Sequence, residues 1–583
     1  MNRLLRPLTL LLAVALCASA TAAFDPAYEQ RNFSKTGERF RHLTGTPDYQ
    51  QELRTKGTAS EAEIPPIIAG DPERASMLSN LCVHHMDGCA GDVRFYDWPN
   101  AAQGRVRNGP VTWISRTGAI ISGHVWMNSG GEARKPGVVI TNGSVQAPEQ
   151  LYWPLAAALA EAGYVVLTWD PQTQGRSSGP QGEYQAQSPT LFIEGTQDAL
   201  DFFLSTASAP YQPRPENQRL QGPPTGATGN FATKQDAKVA AKQASASNPF
   251  ADRLDPSRIG IAGHSLGAYG VSVVGNVDPR VDALVAYDNL TAGGGEMFGQ
   301  TVAPIPSTKP ALGMANDYGL TPQPNTSEPD PQSRNDASRK ASAAGNDTAQ
   351  VNIRGGTHYE YAVIPNPGFG ATLRGLDKAG WYTLGWMHKY VKGDTLLGDR
   401  MLLSDRWQRD KAEGDIDPDK DGNTYSSYLR SRIDIKRADG SKATCEDLRK
   451  GCGILKDDGL PGFGLKEFAF GQEGPKPGSA ARFNGALRGG SCVTSAKVPK
   501  RVRRGKRFRV KLKLAQDTRV LASVRKVKKP RAKTRASASK RSLKAGTRVL
   551  KLKAPKRAGR YRLSLTGRCT GGKQTRRITL KVR

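Results

Sequence analysis

The chain has 583 residues, with 84 Lys+Arg against 53 Asp+Glu and a formal net charge of +31. Counting Gly and leaving out Tyr, its apolar share is about 45%, an ordinary globular value that excludes a wholly disordered or collagen-like chain. The charge is split: residues 492–583 hold 34 Lys+Arg and one acid, Asp517, whereas 1–491 hold 50 basic and 52 acidic residues. That length and that division predict a near-neutral body with a separate basic C-terminal module.

Residues 1–23 read as a secretory signal peptide: a basic head with Arg3 and Arg6, an apolar run from Leu8 to Leu16, then a small-residue exit from Ala18 to Ala23. The run is about half of the ~18 apolar residues that mark a membrane span, so a secreted chain without a transmembrane segment is expected. Leu16 stands where a lipoprotein would need a small residue before Cys17. Six cysteines then remain, in two Cys-x6-Cys pairs (Cys82 with Cys89, Cys445 with Cys452) and a pair in the basic module (Cys492 with Cys569). An even, locally paired set in an exported chain predicts disulfides. Cys82 to Cys89 also encloses His84 and His85, which could ligate zinc, but the pairing favours a disulfide.

Residues 24–109 read as a polar, irregular extension with a helix near Glu73–Leu81. A domain over 110–399 follows. Its signals are a hairpin over Val111–Met127 turning at Gly118, a buried strand Gly137–Thr141, a helix Pro148–Gly163 and a strand Tyr164–Trp169. A helix Thr190–Ser205, a strand Arg258–Ala262, a helix Leu266–Gly275 and a strand Val281–Tyr287 come next. Strands Lys309–Ala315 and Gln350–Arg354 and a helix Leu376–Tyr390 complete the series. Such alternation predicts an α/β class with a mostly parallel sheet covered by helices on both sides. Two stretches, 210–254 and 318–348, are too long and polar for plain connections and read as surface insertions able to overhang the sheet edge. Residues 400–490 read as a second polar extension.

The pattern Gly-x-Ser-x-Gly occurs twice, at Gly263-His264-Ser265-Leu266-Gly267 and at Gly175-Arg176-Ser177-Ser178-Gly179. A nucleophilic serine needs a strand, a sharp turn and a helix to lift its Oγ above the sheet edge. Ser265 has that setting; Ser177 lies in a polar loop. The serine also needs an imidazole to take its proton and a carboxylate to hold that imidazole. Of the seven histidines, His358 alone follows a late strand in a loop, in Gly355-Gly356-Thr357-His358. Asp317, after the strand ending at Ala315, is the chosen acid, and Asp288, after the strand ending at Tyr287, its competitor. The oxyanion donors are expected at the N–H of Leu266 and, in the loop Thr141–Gln146, at Ser144, with Val145 next.

On these residues, 110–395 resemble an α/β-hydrolase fold enzyme, and more narrowly the secreted bacterial esterases and lipases of the dienelactone-hydrolase and polyester-hydrolase neighbourhood. The stretch Asp170 to Gly179 is similar to a structural loop of that family, and Asn142-Gly143 stands where the family usually has His-Gly. The resemblance implies carboxylic-ester hydrolysis through an acyl-enzyme, with no cofactor and no named substrate. An amidase or peptidase with the same triad, or a catalytically idle surface-binding protein, is the alternative.

Asp417, Asp419 and Asp421 have the spacing of a calcium loop, but its closing position is Tyr428 in place of an acid, so a solvated turn is the plainer reading. In the basic module, Arg507–Leu514, Val549–Lys553, Tyr561–Leu565 and Ile578–Val582 alternate apolar and cationic residues. Period-2 runs between Gly and Pro turns predict a small all-β sandwich with a positive outer surface, similar in pattern to the immunoglobulin-like tails of secreted actinobacterial proteins. Its field would attract an anionic cell-wall polymer or an acidic membrane surface; no motif for reading nucleic acid is present.

Overall fold

The computed structural model describes residues 24–80, 106–409, 422–460 and 495–583, apart from 145–147, 180–187, 219–228, 365–370, 527–536 and a few shorter breaks. The expected signal peptide, the Cys82–Cys89 pair, Cys492 and the Asp417, Asp419 and Asp421 loop lie outside the described residues. No described helix is long and apolar enough to cross a membrane.

A ten-stranded sheet organises the body. Its strands are β1 (Val106–Ile114), β2 (Ile120–Asn128), β3 (Lys135–Thr141), β4 (Val165–Trp169), β5 (Leu254–His264) and β6 (Ala283–Tyr287). After a two-stranded ribbon of β7 (Gly295–Met297) and β8 (Gln300–Val302) come β9 (Ala311–Asn316), β10 (Thr348–Ile353), β11 (Arg432–Lys436) and β12 (Lys442–Cys445). The spatial order is β1-β2-β4-β3-β5-β6-β9-β10-β11-β12. The central pairs from β4 to β10 are parallel, and the outer pairs antiparallel.

The parallel strands are apolar runs because both faces are covered. Alternate residues of β6 enter two separate clusters: Ala283, Val285 and Tyr287 one, Leu284 and Ala286 the other. Among the described residues the helices of the body are α1 (Pro26–Thr44), α2 (Pro47–Glu61), α3 (Ile64–Gly70), α4 (Trp153–Glu161), α5 (Pro189–Leu204), α6 (Ala232–Ala240), α7 (Leu266–Val277), α8 (Asp336–Ala343), α9 (Leu373–Tyr390) and α10 (Thr395–Leu402). Residues of α4 and α9 build the first cluster, and those of α5 and α7 the second. The layered α/β class expected from the sequence is the one found.

Three expectations about the polar regions change. Residues 24–109 are not irregular as far as they are described: 24–80 carry α1, α2, α3 and a 3-10 helix over Pro72–Ser79. The 400–490 stretch is not a separate extension, since β11 and β12 continue the sheet beyond β10. The disulfide Cys445–Cys452 closes beside that edge, with an S–S length of 2.05 Å. The two insertions contribute packed helices. The side-chain carbonyl of Gln235 in α6 accepts from Ile114 N–H at 3.0 Å, and α8 buries Ala337, Ser338 and Ala341. Their burial came from single small or amide residues, which hydropathy does not register.

The basic module folds as expected into two packed sheets. One holds β13 (Ser495–Lys497), β15 (Arg507–Leu514) and β18 (Gly546–Lys553). The other holds β14 (Arg501–Val502), β16 (Thr518–Lys526), β17 (Ser537–Leu543), β19 (Gly559–Cys569) and β20 (Gly572–Val582). Val510, Leu512, Val520, Val524, Leu563, Leu565 and Leu580 close the core between them.

Candidate active site

Parallel pairing brings the C-terminal ends of β3, β5, β6, β9 and β10 to one sheet edge, where loops gather functional groups. Thr141 pairs with Gly263, His264 with Tyr287, Tyr287 with Met314, and Asn316 with Ile353. Ser265 is therefore one residue beyond β5, Asp288 one beyond β6 and Asp317 one beyond β9, while His358 lies in the loop after β10.

Ser265 adopts φ 58° and ψ −121°, in the region that favours glycine. The turn is held by Ser265 N–H donating to Tyr287 O at 2.9 Å and by Tyr269 N–H donating to Ser265 O at 3.2 Å. The flanking glycines are sterically required. A Cβ on Gly263 would stand 2.3 Å from the Gly267 carbonyl oxygen, and one on Gly267 would stand 2.3 Å from that of Asn142. So β5 enters a sharp corner and α7 leaves it pressed against the end of β3, with Ser265 held in a conformation that costs about 1–3 kcal/mol.

His358 Nδ1 donates to Asp288 Oδ2 at 2.6 Å. Burial would raise the Asp288 carboxyl, but the His358 hydrogen bond and charge, helped by Arg334, hold it below the ordinary aspartate value. The expected partner, Asp317, is elsewhere: its Oδ2 accepts from Gly355 N–H at 2.7 Å and lies 3.4 Å from Asn32 Nδ2 of α1. Burial raises the Asp317 carboxyl, against the lowering influence of Ser426, Gly355 and Arg354. Asp317 thus ties the start of the histidine loop to α1, whose Thr36 hydroxyl donates to Gly355 O at 2.9 Å. The acid beside His358 is Asp288, and the Asp317 assignment is corrected.

His264 reaches the same loop from behind. Because a carbonyl can only accept, His264 Nε2 carries a proton and donates to His358 O at 2.8 Å. Its Nδ1 accepts from the Tyr152 hydroxyl at 2.7 Å, and that oxygen accepts from Gly143 N–H at 3.0 Å. Burial, aided by the neighbouring His358, lowers the His264 pKa to about 3, so the ring is neutral and its tautomer fixed. This chain joins the loop after β3 to the loop carrying His358. Neither Tyr152 nor the contact made by His264 was found from sequence; the only signal was a histidine beside the serine.

Of the expected oxyanion donors, Leu266 opens α7, where first-turn N–H groups lack helical partners, and it lines the cavity containing Ser265 and His358. Gly143 is against Ser265, since a Cβ there would stand 3.2 Å from the serine Cβ. Its N–H is engaged by Tyr152, which leaves the half-buried Ser144 as the candidate donor of that loop. Val145 lies outside the described residues. The second Gly-x-Ser-x-Gly serine is structural: Ser177 is fully buried, its Oγ donates to Asp170 O at 2.5 Å and accepts from Ser122 N–H at 2.9 Å.

The cavity above Ser265 has a volume of about 430 Å³. Leu266, Tyr269, Leu290 and Ala337 give it an apolar wall, and Asp288, Arg334 and His358 its charged groups. Comparison with models of known protein families finds no match, and no curated protein matches the chain.

Proposed function

We propose that this protein is a serine hydrolase of the α/β-hydrolase type that cleaves carboxylic esters through an acyl-enzyme. The observation that carries the reading is Ser265, held at positive φ between β5 and α7, on the same cavity as the His358–Asp288 pair. In this reading the Ser265 Oγ attacks the ester carbonyl while His358 Nε2 takes its proton. Asp288 keeps the other ring proton on Nδ1 and stabilises the imidazolium. The oxyanion is held by the N–H groups of Leu266 and Ser144. His358 then protonates the departing alcohol and, in the second half, activates the water that releases the acid.

The test is turnover of 4-nitrophenyl esters of short and long acids, beside Ser265→Ala, with fluorophosphonate labelling of both proteins. Ester turnover and labelling that both vanish in the variant support the reading. Labelling without turnover of any ester, but with turnover of anilides, moves the substrate class to amides. Neither label nor turnover overturns the enzyme. We further propose that the protein is exported and that its basic module holds it on an anionic cell-wall polymer or membrane surface. The support is a sheet face bearing Lys497, Arg507, Arg509, Lys511, Lys513, Lys551 and Lys553, all exposed and without an acid among the described residues of the module.

A further inference from the structure

The ester-hydrolase reading names no acyl group, and it gives the cation on the cavity, Arg334, no contact with substrate. This side chain lies just before α8 and lines the cavity with Ser265, His358 and Asp288. It is half-buried, its charge acts on the Asp288 carboxyl, and among the described residues its guanidinium is in no hydrogen bond or ion pair. Three other arginines of the body are paired: Arg116 with Asp198, Arg280 with Asp278 and Asp201, Arg432 with Glu446. An arginine that faces a cavity and is hydrogen-bonded to no carboxylate, its charge reaching Asp288 only through space, is a ready receptor for an anion, because the planar fork matches anionic oxygens bidentately.

The surroundings fit. Asp288 is the acid nearest in role, but its Oδ2 is engaged by His358. Asp336, also on the rim, is exposed and pairs with Lys340 at 2.9 Å. Asn335, at the N-terminal cap of α8, makes no side-chain cap, so the first-turn amides beside Arg334 add positive potential on the same side. Between Arg334 and Ser265 the wall is apolar, from Leu266, Tyr269, Leu290 and Ala337. The volume of about 430 Å³ gives room for a small ligand that reaches from Ser265 to Arg334.

Resting on the ester-hydrolase reading, we infer that Arg334 binds an anionic oxygen group at the far end of a short acyl chain, so that the cavity selects esters of acidic acyl groups over neutral ones. Carboxylate and phosphate share this chemistry. The group is held by Arg334 while the ester carbonyl lies at Ser265, and Arg334 takes no part in bond making.

The experiment has two parts, both on the full chain. First, kcat/KM is measured for 4-nitrophenyl hemiglutarate and for the neutral 4-nitrophenyl valerate, with wild type, Arg334→Gln and Arg334→Lys. The expected result is a preference for the acidic ester that falls roughly tenfold to a hundredfold in Arg334→Gln and is partly kept in Arg334→Lys. Second, binding of glutarate and of propyl phosphate to Ser265→Ala is measured by calorimetry, with and without Arg334→Gln. Binding of either anion that is lost without Arg334 supports the inference, and the tighter one identifies the group. An unchanged acidic-to-neutral ratio in Arg334→Gln overturns it, as does binding of neither anion. If the wild type turns over neither ester, the ester reading fails, and the calorimetry alone then decides the anion site.

Discussion

At the end of β5, polar groups are enclosed and each has specific partners: Ser265 N–H has Tyr287, His264 has Tyr152 and the His358 carbonyl, and His358 has Asp288. On β15 and β18 the reverse holds. Arg509 is opposite Lys551 and Arg507 opposite Lys553, like charges facing like in solvent, with the apolar residues turned inward. The first region specifies positions of single atoms, so the loss of one group removes what the others do together. The second makes a field, in which every charge adds a similar small share. Single substitutions therefore separate the two regions.

The largest effect is expected from Ser265→Ala, which should lower kcat by at least about a thousandfold and abolish fluorophosphonate labelling, read by ester turnover and by mass spectrometry. Next comes Asp288→Asn, with a loss of roughly a hundredfold to ten-thousandfold in kcat, because the amide no longer favours the tautomer with a proton on His358 Nδ1. Asp317→Asn serves as the contrast. It weakens the link between Gly355 and α1 and should reduce stability to urea by about 1–3 kcal/mol while leaving most of kcat. The opposite ranking of the two aspartates would return the catalytic role to Asp317.

That ranking also marks how far the sequence was legible. Strands buried on both faces and helices with small-residue stripes carry their own signal, so the layered α/β class followed from the order of the elements. The corner at Ser265 was legible because two glycines at fixed spacing behind a strand are a steric demand. The choice between Asp288 and Asp317 was not, because each follows a parallel strand by one residue or two. What separates them is register and a helix far away in sequence: α1 supplies Asn32 to the Asp317 carboxylate, while β6 lies next to β5 and places Asp288 beside the serine. The polar composition of α1 hid it for the same reason. Its contacts are separate polar and aromatic ones, from Tyr28, Glu29, Asn32, Phe33 and Thr36, not a hydrophobic stripe.

A smaller effect is expected at the next layer out. His264→Gln keeps a donor for the His358 carbonyl but loses the ring that Tyr152 addresses, and should lower kcat by about tenfold. Its stability signature depends on pH with a definite sign. The folded His264 has its pKa lowered to about 3, so the unfolded chain takes up a proton there that the fold refuses. The stability from this group is complete above about pH 6.5 and is lost as the pH falls toward about 3. The deficit of His264→Gln against wild type in urea should thus shrink by roughly 1–3 kcal/mol between pH 7 and pH 4; a constant deficit would show that the ring is not held neutral.

In the basic module the smallest effects test the field. Leu512 is fully buried between the two sheets, and Leu512→Ala should cost the module about 2–5 kcal/mol, read as a separate early transition in calorimetry. Lys511→Gln, one residue away on the outer face, should change stability by less than about 0.5 kcal/mol and leave ester turnover as it was. Its effect should appear only as earlier elution from a phosphate-bearing resin, by a small step that Arg509→Gln, Lys551→Gln and Lys553→Gln each repeat and that salt diminishes. Equal steps mean that the face works by summed charge. One dominant residue would instead mean a defined pocket, and the contrast with the Ser265 corner would no longer hold.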